Sequence, residues 1–286
     1  MNDSNHSSAL KRSRRRGRPV KTAGGEGGGH VQSLSRALGL LEHLAAAAER
    51  GISLTDLARR ARLPPSTTHR LLATLEQQGF AELDTERGIW FVGVRTFVVG
   101  NAFLAHRDFV ATARPFMRRL VEESGESVNL GILDEGEVVF LSQVECREMM
   151  RMFVRLGGRV PAHASGVGKA LLAALPEAEV DSILELRGLQ RFTDNTIDAR
   201  AILREDLARV RNRGYAYDDE EHAVGLRCVA STLHDELSHP ISAISLSGPR
   251  ARITDQRVEI LGRLVRETAD RITHALGGQL PAWRNE

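Results

Sequence analysis

The stretch from Leu54 to Ala73, LTDLARRARLPPSTTHRLLA, decides how the chain is read. Ser53 stands where a helix cap would, with Asp56 three residues on. Ile52 and Leu57 occupy the positions of a hydrophobic staple, so a short helix starts here and stops around Arg62. Pro64-Pro65 opens a second helix, because proline is tolerated in a first turn whose amides have no intrahelical acceptor. This helix runs to Gln78 and is closed by Gly79. Leu71, Leu72 and Leu75 supply its inward face, and Ser66, Thr67, Thr68, His69 and Arg70 lie at or near its N-terminal end. Two helices joined in this way present the second to a DNA major groove, where short hydroxyls reach phosphates and an arginine can give guanine two hydrogen bonds.

Upstream, Leu34, Leu38, Leu41 and Ala45 recur at three- and four-residue spacing, which predicts one apolar stripe on a helix ending before Gly51. Downstream, Phe80 to Asp84 and Ile89 to Val92 are strand-like runs around the turn Thr85 to Gly88. Three helices and a hairpin make a winged helix-turn-helix over residues 31–94. Residues 1–30 are polar, basic and glycine-rich, and read as an arm and linker. The first 22 residues carry seven basic side chains against one acid, whereas residues 95–286 carry 25 basic against 28 acidic. That asymmetry points to an arm that binds a polyanion, on a neutral or acidic body. Within the arm, Arg16 and Arg18 of Arg-Gly-Arg-Pro19 suit a narrow minor groove, or add salt-sensitive phosphate affinity.

Residues 95–107 predict a linker helix that ends before Pro115, residues 108–278 a second domain, and residues 279–286 a tail. The second domain mixes strand candidates (127–133, 138–144, 149–156, 227–233, 241–246) with helices at 115–124, 166–175, 177–187, 199–213 and 254–276. Strands without strict helix alternation predict an antiparallel or mixed sheet, hence an α+β fold.

Composition narrows the function. A chain of 286 residues, 42% hydrophobic and 27% charged, folds a sizeable core. Two cysteines, Cys146 and Cys228, make neither a disulfide framework nor a four-ligand zinc site, and fit a reducing cytoplasm. No apolar run is long enough for a membrane span, and no secretory signal is expected. Ala164 to Lys169 resembles a phosphate loop, but His163 stands where its first glycine belongs and Ala170 where a magnesium-binding hydroxyl belongs. Glycines entering a helix still suit a smaller anion such as a carboxylate. Ser245 and Ser247 share one strand face, and Asp218 to Glu221 reads as a solvated acidic loop. Neither a metal-binding histidine pair nor an ordered catalytic set is visible, so no catalytic residue, metal or cofactor is expected.

The chain resembles the IclR family of bacterial transcription regulators. The resemblance rests on Val31-Gln-Ser-Leu34, Leu63-Pro-Pro-Ser-Thr-Thr-His-Arg-Leu-Leu72, Val160-Pro-Ala-His-Ala-Ser-Gly-Val-Gly-Lys-Ala170, Arg213 to Glu221, Gly225 to Ala230 and Ile244 to Pro249. It implies a winged helix-turn-helix followed by a GAF/PAS-like effector domain, assembled as homodimers or homotetramers on double-stranded operator DNA. It further implies repression of glyoxylate-bypass genes, with glyoxylate and pyruvate as antagonistic effectors. By the same resemblance the effector site uses Gly166 and Val167 at a helix start, Asp218, Cys228, Ser245 and Ser247 as polar contacts, and Met149, Met152, Val160 and Leu226 as an apolar wall. A regulator of aromatic-acid catabolism is the nearest alternative and needs room for a ring beside Met149 and Met152. An enzyme with a DNA-binding appendage is the alternative of another class, and requires a catalytic set in residues 108–286.

Overall fold

The computed structural model of the protein describes residues 31–105 and 108–284. The basic arm, with Arg16 and Arg18, lies outside the described residues. The described residues divide into two compact units with the boundary between Gly100 and Asn101.

In the first unit, α1 (Gln32–Ala47) is followed by β1 (Ile52–Ser53), α2 (Leu54–Ala61), α3 (Pro65–Gln77), β2 (Ala81–Asp84) and β3 (Ile89–Val92). Ser53 caps α2 by accepting from the Asp56 amide, and Arg62 ends it in the left-handed conformation. β2 and β3 form the antiparallel wing, and β1 adds to the far side of β3. Leu40, Leu44, Ile52, Leu57, Leu72, Ala81 and Trp90 fill the core. The expected stripe on α1 is corrected here: Leu34, Leu38 and Ala45 are exposed, and the helix turns Leu40 and Leu44 inward instead. The helix carries two apolar rows at helical spacing, and α2, α3 and β3 cover the row of Leu40 and Leu44. Next comes α4 (Val94–Ala105), close to the expected linker helix.

The second unit opens with α5 (Asp108–Ser124), which passes straight through Pro115 although a break was expected there. Proline removes one amide donor, but Phe109, Ala113, Met117 and Leu120 share one buried face of the helix, and that packing outweighs the lost bond. β4 (Ser127–Asp134), β5 (Glu137–Val144) and β6 (Arg159–Pro161) follow. Then come α6 (Gly166–Ala174), α7 (Glu177–Arg187), α8 (Arg200–Arg213), β7 (Ala216–Asp219), β8 (Leu226–His234), β9 (Pro240–Pro249) and α9 (Asp255–Ala275). Among the described residues the strands form one antiparallel sheet in the order β6-β5-β4-β9-β8-β7.

Strand alternation gives this sheet two buried faces. Val128, Leu130, Val229, Ile244 and Leu246 pack with α5 and α9. Ala216, Ala230, Ala243 and Val138 pack with α6 and its neighbours.

Two further expectations are corrected. Residues 149–156 are not a strand; they belong to the loop between β5 and β6, with Met149, Met150, Phe153 and Leu156 exposed. Backbone groups of Met152 and Val154 bond to the Gln143 side chain where a strand would bond to its neighbour. The tail expected at 279–286 folds back as far as it is described: Arg284 is buried and bonds to Asp270, Ser231 and Thr232.

Candidate DNA-reading helix and effector site

On α3 the side chains sort themselves by exposure. Ser66, His69 and Arg70 are exposed and Thr67 is half-buried, all at the N-terminal half of the helix. Thr68 is fully buried and donates to the Pro64 carbonyl, so the expectation that it contacts DNA is corrected to a role in the turn. Leu72 fills the core while Leu71 and Leu75 pack at its margin. An exposed guanidinium can give the edge of a guanine two hydrogen bonds. Arg70→Ala is expected to lose ~1–3 kcal/mol at the specific operator and much less on random DNA. Titrating both DNAs by fluorescence anisotropy checks this, and an equal loss on both reassigns Arg70 to phosphate contact.

In the second unit, the register places polar side chains in two adjacent rows across the face that packs on α6. One row runs Asp218, Cys228, Ser247, Ser127 across β7, β8, β9 and β4. The next runs Ala216, Ala230, Ser245, Asn129, Gln143 and reaches β5. Cys228 donates to Ser247 Oγ at 3.0 Å, and Asn129 Nδ2 donates to Ser247 Oγ at 3.0 Å and to Ser245 Oγ at 3.4 Å. Burial pushes the Cys228 thiol far above the ordinary thiol range, so it stays protonated and able to donate.

The N-terminus of α6 rests on these rows. A side chain at Gly166 would sit 3.1 Å from the Cys228 Cβ, and one at Gly168 would sit 2.2 Å from the Ala162 carbonyl oxygen, so glycine is what allows the close approach. Ser165 caps the helix by accepting from the Gly168 amide, and the Lys169 amide bonds to the Ser165 carbonyl. Among the described residues this leaves the amides of Gly166 and Val167 without an acceptor, and a helix N-terminus with free amides favours an anion.

Asp218 is 2% exposed, and burial followed by the nearby Glu221 raises its pKa to about 7. Its Oδ1 accepts from the Glu221 amide at 2.8 Å. Behind that turn Lys169, 1% exposed, bonds to Asp206 and to Glu221. Burial disfavours its charge, but the two carboxylates outweigh burial and hold Lys169 above the ordinary lysine range. The acidic run read as a solvated loop is therefore mostly interior: three of its four acids, Asp218, Glu220 and Glu221, are buried.

Of the expected effector residues, the structure brings Gly166, Asp218, Cys228, Ser245 and Ser247 together, with Leu226 on the same strand face as Cys228. Val167 is buried one residue along α6. Met152 and Val160 pack at the edge of the same core. Met149 does not join them, standing 98% exposed on the loop. Asn129 and Gln143 were not expected; for Asn129 the alternation Ser127, Asn129, Gly131 along β4 was the available signal, since it sets polar or small residues on the face that α6 covers.

A DNA-reading unit joined to a larger sheet unit with a buried, donor-rich row defines a transcription regulator. Residues 33–85 match the IclR helix-turn-helix domain and residues 101–274 match the bacterial transcriptional regulator IclR C-terminal domain. The chain belongs to the IclR family and is a transcriptional repressor of that type. It is 49% identical to the acetate operon repressor of Salmonella typhimurium over 87% of this chain and 92% of that one. It is 47% identical to the transcriptional repressor IclR of Escherichia coli K12 over 92% of this chain and 97% of that one. A solved IclR homolog from Microbacterium hydrocarbonoxydans, complexed with 4-hydroxybenzoate, is 27% identical with a TM-score of 0.76, covering 86% of this chain and 99% of that one. Among the described residues no helix is long and apolar enough to cross a membrane.

Proposed function

We propose that this repressor controls acetate and glyoxylate-bypass genes, and that glyoxylate or pyruvate bound between the α6 N-terminus and the polar rows sets its affinity for operator DNA. The observation that carries the reading is the donor set: two free amides at Gly166 and Val167 above the hydroxyls of Ser245 and Ser247, with the Cys228 thiol donating to Ser247 from behind. A keto acid offers such a set only acceptors, with its carboxylate suited to the amides and its carbonyl to the hydroxyls. The names of the curated relatives support the choice of genes. The protein acts in the cytoplasm as a homodimer or homotetramer on double-stranded DNA, with Arg16 and Arg18 of the basic arm adding affinity, and carries out no catalytic step.

Ser245→Ala combined with Ser247→Ala is expected to leave operator binding intact and to abolish the response of the complex to both acids, because an effector acts only through contacts that differ between states. Calorimetry and gel shifts with glyoxylate, pyruvate and 4-hydroxybenzoate check this. Binding of 4-hydroxybenzoate alone, the ligand in the Microbacterium relative, favours the aromatic-acid reading.

A further inference from the structure

The proposed effector site is bounded by two side chains whose bonds run on from the serines to main chain. Gln143 Nε2 donates to Asn129 Oδ1 at 2.8 Å and to the Met152 carbonyl at 3.1 Å, and Gln143 Oε1 accepts from the Val154 amide at 3.3 Å. A backbone N–H only donates and a backbone carbonyl only accepts. Val154 and Met152 therefore fix which end of the Gln143 amide faces which way. Its second N–H then meets Asn129 Oδ1, which fixes the Asn129 amide in turn and aims both of its N–H groups at Ser245 and Ser247.

With Asn129 donating to both serine oxygens, each hydroxyl proton must look elsewhere. Ser247 Oγ already accepts from Asn129 and from Cys228, so across the 3.4 Å between the two hydroxyls only Ser247 can donate to Ser245. At least one O–H is left without an acceptor among the described residues. Asn129, Ser245 and Ser247 are all buried, and a buried donor left without an acceptor is unfavourable until something supplies one.

Resting on the proposed effector reading, we infer that Gln143 and Asn129 are positioning residues for that site: the backbone at Met152 and Val154, acting through their two amides, makes Ser245 and Ser247 donors and so selects a ligand that presents oxygen acceptors. The β5–β6 loop thereby sets the polarity of a site it closes beside. A ligand that offered donors to the serines would compete with Asn129 for the same lone pairs.

The test uses the full chain with pyruvate and glyoxylate as probes. Gln143→Met is neutral and close in shape, and removes the bonds that orient Asn129. It is expected to weaken keto-acid binding roughly tenfold or more while leaving effector-free operator affinity unchanged. Combined with Ser247→Ala, its loss should be smaller than the product of the two single losses, because both act on one hydroxyl. If Gln143→Met does not fold, Asn129→Leu gives the same reading, since it leaves the bonds from Gln143 to the loop in place. Wild-type keto-acid affinity in both variants, or fully multiplicative losses, overturns the inference. Wild-type affinity in the Ser245→Ala, Ser247→Ala double variant overturns the effector reading instead, so the two failures are told apart.

Discussion

Lys169→Met is expected to destabilise the larger unit by ~3–5 kcal/mol, because the substitution removes one side of a buried ion cluster and leaves the other side in place. Asp206 and Glu221 both bond to the Lys169 ammonium, and all three side chains are buried. Without the ammonium the two carboxylates share a dry site, and must either repel or take up a proton. The loss should therefore deepen as pH rises. Hydrogen exchange read at the β8 amides, which α6 packs against, isolates the larger unit from the smaller one. A loss below ~1 kcal/mol shows instead that the cluster is solvated like a surface pair.

Asp218→Asn is expected to flatten the pH dependence of keto-acid binding. In the folded chain burial raises the Asp218 pKa to about 7, so the group is mostly neutral at about pH 6 and mostly ionised at about pH 8. An anionic ligand bound beside it meets no charge in the first case and a like charge in the second. Affinity of the unaltered protein should thus fall about tenfold across that interval, while Asp218→Asn holds its acid-side affinity throughout. Stability follows the same sign. The folded chain keeps a proton that the unfolded chain has already released, so the contribution of Asp218 is present below the ordinary carboxylate range and lost as pH rises to about 7. Calorimetry at the two pH values measures the first effect and urea titration the second; a pH-independent affinity in the unaltered protein shows that Asp218 does not face the ligand.

Which features were legible in the sequence depended on how far the physics reached along the chain. The DNA-reading module was legible because its signals are local: a serine cap, a proline pair and a glycine stop each act within one helical turn. The four long strands β4, β5, β8 and β9 were legible from their apolar and β-branched runs, whereas β6 and β7, three and four residues long, were not among the expected strands. Residues 149–156 misled because their apolar content resembles a strand, yet the main chain there finds its partner in one glutamine on β5. The acidic run at 218–221 misled for a similar reason: its counter-charge, Lys169, lies 52 residues from Glu221, and only the closed sheet unit brings them together. Gln143 carried no signal at all, since a polar residue near a strand end looks like any solvated position. Arg284 was lost in a tail for want of any mark that Ser231, Thr232 and Asp270 would receive it.

The strand order also governs how safely the sheet unit can be handled at high concentration. The outermost strands are the shortest of the sheet: β6 spans three residues and β7 four, against eight to ten for the four between them. Pro161, at the end of β6, has no amide hydrogen to offer, and β7 closes with two aspartates. An incoming strand would find too few free main-chain groups at either border to be held there, so the sheet resists growing from one molecule into the next and is a poor seed for fibrils.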